Sequence, residues 1–292
     1  MENVLRFYKE HGPMTEITNM KDMVRDIPKD VATIVIYVQN IFIHQHWSKA
    51  YGLELSEERK REPFIRSFGE KLQFLQSVGQ GTCPLVPLGP RPNEQKMISI
   101  CRDFSVAAVA LCREAGIPAR ARCGFANYFE KGKYIDHWVL EYWNEERKKW
   151  VMVDAQLDNL QQEHLKIPFD PMNVGEDFFF TGPRAWQMCR EGKENPELFG
   201  IFDWWGYIYL NCNLILDANS LLKMPMQPWD MWDGYKSLPM EKWHEKDYKL
   251  MDELASLALH VDDSLEDLIH FVQQNDKIKV PEDLGKITNS LE

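Results

Sequence analysis

The sequence predicts an α+β fold in which one buried helix and three strands form a core between large helical flanks. Three observations predict it. Residues 101–115 carry Phe104, Val106, Ala107, Ala108, Val109, Ala110, Leu111 and Cys112, apolar around nearly the whole circumference, as a helix inside a core must be. Segments 119–125, 134–143 and 149–156 are rich in aromatic and β-branched residues and are separated by polar turns, the pattern of strands. Helical patterning precedes and follows this block, with Leu265, Leu268, Ile269 and Val272 forming a stripe behind a start framed by Ser264 and Asp267.

Taken from the N-terminus, residues 28–52 lack turn signals, and Ile34, Val38, Ile41 and Gln45 recur at helical spacing beside His44. The spacing predicts a helix, although the run Ile34-Val35-Ile36 also suits a buried strand. Residues 57–76 read as a second helix. Between Val78 and Asn93 stand Gly79, Gly81, Pro84, Pro87, Gly89, Pro90 and Pro92, a density of breakers that predicts a long loop just before Cys101. Ser99 is the expected N-cap of the buried helix, Gly116 its left-handed terminator, and Pro118 blocks continuation. The expected organisation is a helical region over 1–80, a core over 81–168 and a helical region over 169–292, packed as one unit.

Composition narrows the classes of function. A chain of 292 residues with 44% hydrophobic and 12% aromatic content can bury a large core. Net charge is −11, and the last 52 residues hold 13 acidic residues against 6 lysines. With no basic stripe to neutralise phosphates, nucleic acid is not an expected partner. No apolar run approaches the roughly 20 residues of a membrane helix, and the N-terminus lacks a basic stretch followed by an apolar run. No membrane partner and a cytoplasmic location are therefore expected. The six cysteines lie far apart without a C-x-x-C pair, so free thiols and no structural zinc are expected.

One cysteine has company that suggests chemistry. A helix N-terminus or a neighbouring imidazolium lowers a thiol's pKa from about 8.5 into the range ~3.5–7.5, and Cys101 falls in the first turn of the predicted helix. Of eight histidines, His137 lies on a predicted strand shortly after that helix. If the following turn is centred between Glu145 and Glu146, facing positions sum to 291 and His137 pairs with Asp154 on the same face. Asp136 then points to the opposite face, and Asp158 lies too far along.

The stretches Cys101-Arg102-Asp103-Phe104-Ser105, Gly116-Ile117-Pro118-Ala119-Arg120, His137-Trp138-Val139 and Trp150-Val151-Met152-Val153-Asp154 resemble the transglutaminase-like superfamily. The resemblance implies a core related to papain, with the nucleophile helix packed on an antiparallel sheet. It also implies thioester chemistry on a peptide, protein or small amide substrate, with no cofactor. Cys101 would attack a carbonyl, His137 move protons and Asp154 fix the imidazole tautomer. The sequence departs from the usual pattern at Ile100, where glycine is common, at Trp138, and at Ala155-Gln156, where Pro-Thr is common. Transfer to water and transfer to an amine are both left open, and the oligomeric state is not legible.

Weaker candidates complete the list. The Cys101 backbone N–H is a natural oxyanion donor, and Gln95, six residues upstream, is a second by analogy with papain-like enzymes. Arg120 and Arg122 share a strand face and suit an anionic substrate group, though arginines commonly meet carboxylates instead. His44 is placed near the site entrance, and Trp138, beside His137, is a further oxyanion or substrate candidate. His44 and His46, two apart on a helix, would diverge too far to share a metal, and no calcium loop is recognisable. Trp204, Trp205, Trp229, Trp232 and Trp243 read mainly as core. The rival reading is a catalytically silent member of the same fold that binds a peptide or protein.

Overall fold

The computed structural model describes residues 1–27, 29–78, 91–232, 234–236, 239–283 and 288–289. Most of the expected breaker-rich loop, with Cys83, lies outside them. In chain order the elements are α1 (Glu2–Lys9), α2 (Lys21–Val24), α3 (Val31–Ile41), β1 (Phe42–His44), α4 (Phe68–Val78), β2 (Met97–Ser99) and α5 (Cys101–Glu114). There follow β3 (Ala119–Ala126), β4 (Tyr134–Asn144), β5 (Lys149–Val153), α6 (Asn159–Leu165), β6 (Phe179–Thr181), α7 (Gly182–Arg190), β7 (Phe199–Ile201), β8 (Trp204–Trp205) and α8 (Tyr207–Leu221). The chain closes with β9 (Asp230–Met231), α9 (Glu245–Leu259), α10 (Val261–Gln274) and β10 (Thr288–Asn289). The fold is α+β. No helix among the described residues is long and apolar enough to cross a membrane.

Two compact units divide the chain. The first comprises residues 5–121 and 139–174, the second residues 1–4, 122–138 and 175–292. Two of the four boundaries, 121/122 and 138/139, fall within strands, so β3 and β4 each contribute residues to both units.

In the first unit the expected helix over 28–52 is three pieces. Asp30 caps α3 by accepting the Thr33 N–H at 2.9 Å, and α3 stops at Ile41. Phe42, Ile43 and His44 then run extended as β1, and a 3₁₀ segment over Gln45–Tyr51 ends at left-handed Gly52 (φ 76°). The pairing that converts the end of the periodic stretch into strand is parallel and non-local: Phe42 lies opposite Met97, Ile43 opposite Ile98 and His44 opposite Ser99. A partner about fifty residues away leaves no local trace. The second expected helix is likewise shorter. Pro63 confines Arg59–Phe64 to 3₁₀ geometry, and α4 begins only after the reciprocal bonds of Ser67 and Glu70, each side chain accepting the other's backbone N–H.

Helix α5 is as expected in position and burial, with Ala107, Ala108, Ala110 and Cys112 fully enclosed. It packs with α3 and α4. Its N-cap is Ile100 rather than Ser99, which is the last residue of β2. Gly116 takes the expected left-handed conformation at φ 78°. Arg113, buried in the last turn, donates to the carbonyls of Tyr8 and Ala119 and so ties the helix end to the start of β3.

The second unit holds β6-β3-β4-β7-β8 in that order, with β3 antiparallel to β6 but β4 parallel to β7. The sheet is therefore mixed, not antiparallel as expected, because β7 belongs to the C-terminal segment whose pattern reads as helix alone. Gly124 and Gly200 lie where a Cβ would come within 2.1 Å of the neighbouring strand's carbonyl, at Phe180 and Trp204 respectively. Helices α7, α8 and α9 pack together, with Trp186 against Tyr207, Trp243 and Tyr248. Trp232 and Trp243 are core, whereas Trp204 is 56% exposed. The helical run after α9 is kinked at Ser264 (φ −125°), whose hydroxyl donates to the carbonyls of Leu257 and His260, so the expected start there is a break between helices.

Candidate active site

Cys101 is the first residue of α5 and is buried. The three residues of β2 and extended Ile100 (φ −121°, ψ 168°) deliver it, so the chain changes from strand to helix at the thiol. Ile100 has no side chain with which to cap. Asp103 supplies the cap by accepting the Ile100 N–H at 3.2 Å. The same carboxylate meets Lys71 Nζ at 3.1 Å and Arg102 Nη1 at 3.0 Å, and Arg102 also donates to the Arg66 carbonyl. Lys71, Arg102 and Asp103 are all essentially sealed from solvent. Burial pulls the Lys71 ammonium below its ordinary pKa even with Asp103 beside it. This buried triad of charges, invisible to strand and helix patterning, fixes the turn that presents Cys101. Its sequence signal is limited to an acid three residues past an uncapped helix start.

Burial pushes the Cys112 and Cys189 thiols up to about 12 and raises Cys212 as well. None of the five described cysteines is bridged.

His137 lies on β4 within the second unit, 2% exposed, with Phe129 at 4.8 Å, Tyr128 at 6.0 Å and Phe179 at 6.4 Å between ring centroids, all roughly edge-on. Tyr128 and Phe129, on the loop between β3 and β4, were not singled out from sequence. Asp136 beside it accepts from Asn213 Nδ2 of α8 at 2.9 Å, and burial raises its carboxyl pKa. Trp138 is fully buried on the face of β4 opposite His137.

Asp154 belongs to the first unit and is fully buried just past β5. Its N–H donates to the Pro171 carbonyl, and its Oδ1 accepts the Gln156 N–H at 3.0 Å. The β4–β5 register runs from Leu140 opposite Val153 to Asn144 opposite Lys149. Facing positions thus sum to 293, not 291, and one further step places Asp154 opposite Val139 rather than His137. The turn has four residues, closed by the Arg147 N–H on Asn144 Oδ1 at 2.8 Å and by left-handed Lys148 (φ 50°). Asn144 was the available signal for where the turn begins. The two-residue offset keeps strand parity, so the face assigned to Asp154 is unchanged. Asp158 is committed elsewhere: it caps α6 through the Gln161 N–H and accepts the Tyr51 hydroxyl at 2.6 Å.

Two weaker candidates are corrected. Gln95 is exposed on a 3₁₀ turn, and residues 96–100 between it and Cys101 are extended. At about 3.3 Å per residue this puts Gln95 roughly 17–20 Å from Cys101, beyond a side chain's reach. Arg120 is buried, paired with Glu141 and stacked on the Trp150 ring at 4.0 Å, and Arg122 grips Asp217 through two nitrogens. Both guanidinium groups are occupied by structure, not held out for substrate. Arg120→Ala should therefore destabilise the chain by about 3 kcal/mol, because the buried Glu141 loses its Arg120 partner. Urea unfolding measures this; an unchanged midpoint would contradict the assignment.

His44 is on β1, not on a helix, and His46 donates its backbone N–H to His44 Nδ1 at 3.3 Å. Burial lowers the His46 imidazole's pKa. Among the described residues no cluster of three or more His, Cys, Asp or Glu side chains has metal-binding geometry.

The segment from Asn93 to Ala155 holds Cys101, His137 and Asp154 together, and its similarity to known proteins is specific. Residues 93–155 match the transglutaminase-like superfamily. Among solved structures, similarity extends to a candidate cysteine protease from Cytophaga hutchinsonii, at 17% identity and TM-score 0.33 over 53% of this chain and 43% of that one. It extends also to red sea bream transglutaminase, at 16% identity and TM-score 0.30 over 55% of this chain and 27% of that one. This chain thus aligns with less than half the length of either. No curated protein sequence matches it.

Proposed function

We propose that this chain is a transglutaminase-like enzyme of acyl transfer in which Cys101 forms a thioester with an amide or related acyl substrate and passes it to water or an amine. The observation that carries the reading is that the superfamily match spans residues 93–155 and so includes Cys101 at the start of a buried helix, where a thiolate is favoured. His137 is proposed as the base that takes the thiol proton and returns it to the leaving group, and Asp154 as the group that holds the imidazole tautomer. In the proposed step the sulfur–carbon bond forms as the carbonyl π pair moves to oxygen. Collapse re-forms the carbonyl and expels the amine, which leaves with the proton carried by His137. Attack of water or a second amine on the thioester then regenerates the thiol.

Reactivity toward iodoacetamide tests the nucleophile. Cys101 should be alkylated first and at the lowest pH, with Cys112 inert while the chain is folded, since its thiol is held at about 12. Peptide mapping across pH would read the order. If Cys101 reacts no faster than the other thiols, and His137→Ala leaves its rate unchanged, the enzyme reading fails in favour of a binding scaffold.

A further inference from the structure

Resting on the thioester reading, we infer that Phe129, flanked by Tyr128 and Trp205, is a subsite for the amine portion of the substrate. The substrate class is then a secondary amide whose nitrogen carries an apolar or aromatic group, not a primary carboxamide.

The assignment follows from what surrounds His137 within the second unit. The imidazole is buried, and Phe129 meets it edge-on, with centroids 4.8 Å apart and planes at 71°. Phe129 is only half-buried, as is Tyr128, whose ring tilts against it at 4.8 Å. A ring that touches the imidazole on one side and keeps accessible surface on another is placed to meet a substrate group brought to that histidine. The loop carrying both rings is pinned at its start, where Asn127 donates its backbone N–H to the Phe178 carbonyl at 3.2 Å and its Nδ2 to the Asp177 carbonyl at 2.8 Å. At its end the Lys133 N–H donates to the Glu130 carbonyl across left-handed Gly132 (φ 80°). Rings held in place before binding lose little freedom when a ligand arrives.

Apolar surface continues across the sheet on the same face. Ile135 shares the face of His137, two residues before it, and lies opposite Gly200 of β7, which in turn pairs with Trp205 of β8. A Cβ on Gly200 would stand 2.8 Å from Cδ2 of the Trp205 ring, so the glycine is what lets the indole lie over that strand. Trp205 Nε1 donates to the Phe202 carbonyl at 2.6 Å, and Lys133 Nζ stands 4.7 Å from the ring centroid and steadies it.

The chemistry decides which part of the substrate these rings meet. As the thioester forms, the C–N bond breaks and the departing nitrogen takes its proton from His137. That nitrogen must come within hydrogen-bond reach of the imidazole, so its substituent, rather than the acyl chain, lies against Phe129. Ammonia from a primary carboxamide has no substituent for the rings to hold. An aromatic or aliphatic substituent buries apolar surface on them.

The test uses the return path, because an amine that attacks the thioester enters where the leaving amine departs. The full chain is acetylated at Cys101 with p-nitrophenyl acetate, and loss of the acetyl group is followed by intact-mass spectrometry with phenylalaninamide or glycinamide present. Each rate is normalised to the same amine's reaction with a free acetyl thioester. Phenylalaninamide should exceed glycinamide by at least about tenfold. Phe129→Ala should reduce that preference to under about threefold, and Phe129→Leu, which keeps apolar bulk, should retain most of it. Equal rates for the two amines on the wild type overturn the inference and leave the thioester reading standing. So does a preference that survives Phe129→Ala, with both rates falling together. A wild-type chain that iodoacetamide alkylates at Cys101 but that is never acetylated there overturns the thioester reading, and the inference with it.

Discussion

Replacing Cys101 with serine should abolish thioester formation, lowering turnover of an acyl substrate at least about 10,000-fold while the chain stays folded. The substitution exchanges sulfur for oxygen at the first residue of α5 and leaves the backbone cap through Asp103 in place. A hydroxyl is a far weaker acid than a thiol and has almost no anionic fraction at neutral pH, so the step that relies on thiolate loses its nucleophile. Intact-mass spectrometry after incubation with an activated acyl ester is the measurement: a single added acyl group on the wild type and none on Cys101→Ser. An acyl group retained by the serine variant at the wild-type rate would move the chemistry to another residue.

The second large effect is on stability. Asp103→Ala should cost about 3–5 kcal/mol, because it strands the Lys71 ammonium and the Arg102 guanidinium inside the core and removes the acceptor for the Ile100 N–H. Denaturant titration would register it as a lower midpoint. Lys71→Met in the Asp103→Ala background should restore part of the loss, since it removes one of the stranded charges. A loss below about 1 kcal/mol in the single variant would show that the triad is solvated rather than sealed.

What the sequence made legible follows the range of the forces involved. Helix α5 and strands β3 to β5 are read correctly because their signal is local: period, breakers and β-branched content within a dozen residues. The place of Cys101 in the first turn of α5 is legible for the same reason, since Gly116 and Pro118 frame that helix from behind. Strands β1 and β2 are missed, being three residues each and held by one another across a long separation. The turn at Asn144 is misplaced by one residue because Glu145 and Glu146 look equally turn-like, and only the backbone N–H of Arg147 on the Asn144 side chain settles it. Arg120 carries the opposite lesson. An arginine on a strand looks the same in sequence whether it awaits an anion or already has Glu141.

The segment that matches the superfamily begins at Asn93, yet what holds Cys101 in place begins well before it. The strand leading to Cys101 pairs with Phe42–His44, the carboxylate under its helix meets Lys71, and the far end of that helix is anchored on Tyr8 and Thr15. A fragment cut to the matching boundaries would therefore be a poor expression target: it would keep Cys101, His137 and Asp154 but lose the scaffold that gives the thiol its orientation. Any transplant of this chemistry into another protein has to carry the first ninety residues along as cargo.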